Sequence, residues 1–148
     1  MDTTTNTTVG ALTAKVEKYK VIARETLRMA LITPRLTKIA SLEAKIACIN
    51  THIADYDHVI LVENYEISKL DTEHPDYEAY KKEKTERVTR YTEGTAELQK
   101  DVEDVNKLIA EQKEGIAKIE SGETKVSIDE LNALVAEMVK QDALNQVK

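Results

Sequence analysis

Ten positions spaced alternately three and four residues apart, Ile39, Leu42, Ile46, Ile49, Ile53, Tyr56, Ile60, Glu63, Ile67 and Leu70, constrain this chain more than any other feature of it. Nine of the ten are apolar. A repeat averaging 3.5 residues keeps its stripe facing one partner only if two helices wind about each other. A helix of this length is marginal in water until that stripe is covered. The spacing therefore predicts a long helix over residues 34–71 and demands a second one beside it.

The second stripe follows downstream. Tyr77, Tyr80 and Val88 begin it loosely, and Tyr91, Thr95, Leu98, Val102, Val105, Ile109, Gln112, Ile116 and Ile119 continue it with the same repeat. Between the two, Asp71-Thr72-Glu73-His74-Pro75 interrupts the pattern, because proline disfavours helical geometry in the residue before it and cannot continue the hydrogen-bond ladder. The expectation is a helical hairpin with its tip at 71–75 and a returning helix over 75–120. Gly94 and Gly115 fall inside that helix, where each costs about 1 kcal/mol relative to Ala. Both imply a weak turn or a close approach, and pairing about the tip would set Gly94 near His52 and Gly115 near Leu31.

The flanks read as two more helices. The Thr-rich stretch 1–8 reads as a polar tail with Thr7 or Thr8 as a cap, followed by a helix over 9–32 whose stripe runs through Val9, Leu12, Val16, Tyr19, Ala23, Thr26 and Ala30. Thr33-Pro34 matches a cap followed by proline at the first helical position. Two arrangements follow. If the link reverses the chain, as short links between helices usually do, the first helix folds back along the second and a four-helix base carries a two-helix stalk. If Pro34 only kinks the chain, the first helix instead lies beside residues 113–120 and the last helix.

That last helix has the clearest start of all. Ser127 is placed to cap it with Glu130 three residues on, and Leu131, Leu134, Val135, Met138, Val139 and Leu144 form a broad apolar face over 128–147. Ser121-Gly122 supplies the stop before it. The fold class is thus all-α, an elongated antiparallel helical hairpin with flanking helices making a bundle-like base, in a single helical domain over 9–148. Composition agrees, since the chain has no Phe, no Trp, four Gly and two Pro, too few turn residues for a β-rich fold.

Chemistry is sparse. His52, Asp55 and His58 are the one candidate metal grouping, but a di-iron bundle needs a second acid-x-x-His helix and none is present. Cys48 is the single cysteine, without a partner for zinc or a disulfide. No glycine-rich phosphate loop or nucleophile elbow occurs. The reading is that the protein is not an enzyme, with no catalytic, cofactor or metal residues. Its net charge is −6, and the densest basic group, Lys81, Lys82, Lys84, Arg87 and Arg90, is interleaved with acids, so it reads as a solvated face and not a nucleic-acid surface. No apolar run reaches the roughly 20 residues of a membrane span, and the start resembles no signal peptide, which together point to a cytoplasmic protein where it is made.

What remains is protein contact. Val59-Ile60-Leu61-Val62 is a continuous apolar run on a helix of which only Ile60 faces the stripe, so Val59, Leu61 and Val62, with Tyr65 one turn on, are candidate interaction residues unless Val9 and Leu12 cover them. Leu134, Val135, Met138 and Val139 of the last helix are candidates for the same reason. The functional expectation is a structural or assembly protein, contacting copies of itself or other subunits of a complex such as a virion or phage particle. A helical adaptor or holdase-like chaperone is the alternative, and an acidic inhibitor the third.

Overall fold

The structure, a computed structural model, describes residues 3–147. It is all-α, with α1 over Thr3–Ser68, α2 over Tyr77–Glu120 and α3 over Ile128–Val147, and no strand among the described residues. The chain divides into two compact units. One comprises Lys38–Gln112, the other the residues up to Thr37 together with those from Lys113 onward.

Lys38–Gln112 is the expected helical hairpin. Every position of the expected stripe from Ile39 to Leu70 is buried or half-buried, with Ile39, Leu42 and Ile49 the deepest of its apolar members, and Val105 and Ile109 are buried on α2. Helix α1 ends at Ser68, slightly earlier than the expected 71, and α2 resumes at Tyr77 because Pro75 and Asp76 belong to the turn. The turn holds itself together. Asp71 Oδ1 accepts the Glu73 N–H at 2.9 Å, the Asp71 carbonyl accepts the His74 N–H at 3.1 Å, and His74 Nδ1 accepts the Asp76 N–H at 3.0 Å. Asp71 thus makes the local side-chain turn that its type favours.

The later restart moves the pairing by one helical turn. Gly94 lies against Tyr56, four residues beyond His52 where the tip position had placed it. A Cβ on Gly94 would stand 2.8 Å from Tyr56 Cε2, and the Tyr56 ring also meets Tyr91 edge-on, with centroids 5.0 Å apart and planes at 89°. The glycine is therefore a close-approach site. Gly94→Ala is expected to forgo the roughly 1 kcal/mol that alanine normally adds in a helix interior. In a Tyr56→Leu background the same change should recover that gain, which a thermal-unfolding cycle of the four variants measures.

The other unit corrects the flanking arrangement. Pro34 lies inside α1, so Thr33-Pro34 neither ends a helix nor reverses the chain, and the separate helices expected over 9–32 and 34–71 are one. The stretch expected as a tail is helical from Thr3, which removes the start expected at Thr7 or Thr8; Met1 and Asp2 lie outside the described residues. The described residues form three helices and no four-helix base. The first part of α1 packs instead against α3, with Ala23, Leu131 and Val135 buried and Val16, Tyr19, Leu27, Leu134, Met138 and Val139 packed around them. Further along α1, the Arg35 guanidinium lies on Gly115 of α2, where a side chain would collide with it. This is the second of the two arrangements read from the sequence.

The stripe on this part of α1 also shifts. Val16, Tyr19 and Ala23 are on it as expected, but Leu27 and Ile32 replace Thr26 and Ala30, which are exposed, and Val9 and Leu12 are exposed too. Changing partner from α3 to α2 requires the buried face to turn around the helix, and one straight heptad cannot describe both. Both expected caps at the α2–α3 connection are present. Gly122 takes φ of 81° after α2, the Thr124 N–H reaches the Lys118 carbonyl at 2.9 Å, and Ser127 Oγ accepts the Glu130 N–H at 3.3 Å at the start of α3.

Candidate protein-interaction surfaces

The hairpin exposes the apolar run on one helix face. Leu61 is 68% exposed and Tyr65 62%, Val62 is partly exposed beside them, and Val59 is half-buried toward the seam. Leu61 and Tyr65 are four apart and Val62 adjoins them, so the three share one face of α1. Lys69 Nζ lies 5.6 Å from the Tyr65 ring centroid, which gives the patch a cationic edge.

A charged cluster crosses the same hairpin. Glu63 occupies a seam position and is 6% exposed, and it is held by Arg87 NH1 at 3.2 Å and Lys84 Nζ at 3.4 Å. Glu66 makes a second, short bond to Lys84. The Lys84 ammonium is held above the usual lysine range by its hydrogen bond to Glu66 first and by Glu63 after it. Lys84 and Arg87, expected on a solvated face, thus belong in part to the seam. Beside the cluster, Tyr56, Arg87, Arg90, Tyr91 and Gly94 line an open groove of about 430 Å³.

In the other unit the four α3 residues pack toward α1. Val135 is buried and Leu134, Met138 and Val139 are half-buried, all packed in the cluster around Ala23, because the first part of α1 covers them. This internal contact uses part of their apolar face. Polar ties close its far end, where Lys15 Nζ meets Asp142 Oδ2 at 2.5 Å. The Asp142 carboxyl is held below the usual range by its hydrogen bonds to Lys15 and then Tyr19, Lys15 is raised chiefly by Asp142, and Tyr19 is raised by burial and by Asp142.

These shifts have opposite signs, so they define a window. A lowered carboxyl stabilises above its ordinary pKa and loses that contribution as pH falls through the lowered value; a raised lysine stabilises below its ordinary pKa and loses it as pH rises through the raised value. The tie between α1 and α3 is therefore complete from mildly acidic to mildly alkaline pH and weakens at both extremes. The methyl resonances of Leu134 and Met138 are expected to shift in acid below the usual carboxylate range, and Asp142→Asn should flatten that limb.

Sequence reading missed one surface in this unit. Val21, Ile22, Met29, Leu31 and Leu36 of α1 are all exposed, and Ile22, Met29 and Leu36 stand seven residues apart on one line. That spacing was visible, but it lies on a different face from the stripe through Ala23. An open apolar depression lies along it, lined by Val21, Ile22, Thr26 and Met29 with Glu25.

His52, Asp55 and His58 are exposed, Cys48 is an exposed free thiol, and no three His, Cys, Asp or Glu side chains form a metal-holding group among the described residues. No helix is long and apolar enough to cross a membrane among the described residues. The geometry defines a class, an all-α protein built on a long helical hairpin. No family model matches the chain, and no curated protein or solved structure matches it.

Proposed function

We propose that this protein is a non-enzymatic structural or assembly component that works by joining helices with other protein subunits, copies of itself included. The observation that carries the reading is the exposed line of Ile22, Met29 and Leu36, with Val21 beside it, on a helix whose other faces already pack against α2 and α3. A heptad-spaced apolar line is what a further helix would need for packing. Exposed apolar faces of this kind mark interaction sites in folded proteins. The Leu61–Tyr65 patch on the hairpin adds a second surface of the same chemistry.

The test is the mass of the purified chain by light scattering over a concentration series, beside the variant Ile22→Lys/Met29→Lys. The wild-type chain is expected to associate with rising concentration and the variant to associate less while keeping its helicity. A wild-type chain at monomer mass throughout would remove self-assembly from the reading.

A further inference from the structure

Helix α3 sits on α1 through a limited contact. Its cluster is shallow, with Ala23, Leu131 and Val135 buried and the remaining members only half-covered. The cross-helix polar tie is at one end, between Lys15, Tyr19 and Asp142. At the other end, a cavity of about 300 Å³ lies under the connection from α2, between Arg24, Arg28, Gly122, Val126 and Leu131. Side chains lining such a space lack packing partners on one side, so this end of the contact is the weaker.

The hydrogen bonds that shape the connection are local. They run back to the end of α2, within the connection, or forward into α3: Ser121 to Ala117, Gly122 to Ile119, Thr124 to Lys118, Glu123 to Ser121 Oγ, and Leu131 and Glu130 to Ser127. Both caps therefore survive if the segment between them re-aims. Local elements with few buried contacts open more readily than the rest of a fold.

We infer that α3 exchanges between chains, docking on the first part of α1 in a second copy of this protein and receiving that copy's α3 in return. The inference rests on the assembly reading above and gives it a route. The exchanged contact repeats the internal one residue for residue, so it needs no new surface, and a reciprocal exchange uses it twice between two chains. Exchange of an identical element is a low-cost path to dimers for this reason. The occupant is fixed by the same match, since Leu131, Val135 and Asp142 complement Ala23, Tyr19 and Lys15 in either chain.

Charge reversal tests it. Lys15→Asp and Asp142→Lys each place like charges at the tie within their own chain, while a mixed reciprocal dimer restores an opposite pair at both of its contacts. One variant is labelled with ¹⁵N, the two are mixed at high concentration, and native mass spectrometry reads the dimers. The expected result is a several-fold excess of the mixed dimer over both same-variant dimers, with the doubly reversed chain, Lys15→Asp/Asp142→Lys, behaving like wild type. Mixed and same-variant dimers in random proportion would overturn exchange while leaving assembly by another face intact. Absence of any mixed dimer from variants whose helicity matches wild type overturns exchange; a wild-type chain that never leaves monomer mass removes self-assembly from the reading above, and exchange with it.

Discussion

Replacing Lys84 and Arg87 together with alanine is expected to destabilise the hairpin, because it leaves a nearly buried carboxylate without either of its cations. Glu63, nearly buried with both cations in place, would remain at its seam position with no cation across from it. The same physics makes the opposite change mild. Glu63→Leu fills the position with the residue type the stripe uses elsewhere, and exchange of a buried ionic group for a well-packed apolar one is often neutral or stabilising by about 1–4 kcal/mol. Denaturant unfolding followed by circular dichroism measures both. Equal losses from the two changes would mean that Glu63 supplies net stability and not only a costly charge in need of partners.

The cluster also shows what the sequence could and could not convey. Glu63 interrupts an otherwise apolar stripe, and the stripe on α2 skips from Tyr80 to Val88 with Lys84 at the vacant place. One acid and one base at seam positions on either side of a turn are sufficient to suggest a buried pair. The signal was masked because Lys84 also belongs to a run of interleaved charges that resembles a solvated face. The hairpin itself was legible because periodicity on both helices and the break at Pro75 agreed. The α3 surface was not: Leu134, Val135, Met138 and Val139 form a strong apolar face, but a face records only that something covers it. Whether α1 of the same chain does so depends on which way the chain runs past Pro34, and local spacing is silent on that. Leu61, Val62 and Tyr65 had the same ambiguity with the opposite outcome, since they are exposed.

Pro34→Ala is expected to raise the stability of α1 by about 2–3 kcal/mol, because a proline inside a helix lacks one ladder donor and crowds the carbonyl four residues before it. That carbonyl belongs to Ala30, which is exposed, so water can reach the orphaned acceptor and keep the penalty at the ordinary level. The helix continues through Pro34 because packing holds both sides of it, Leu27 in the cluster with α3 and Arg35 against Gly115 of α2. Read by sequence alone, Thr33-Pro34 fits a helix start as well as it fits a helix interior, and tertiary packing decides between them. The expected result is a higher melting temperature with slower amide exchange between Ala30 and Lys38. Unchanged exchange there would mean that α1 is already broken at Pro34 in solution, and would restore the two-helix reading of this segment. A gain would mean that the chain carries a removable weak point where α1 changes partner from α3 to α2, on the same stretch that presents Met29 and Leu36 to a further helix.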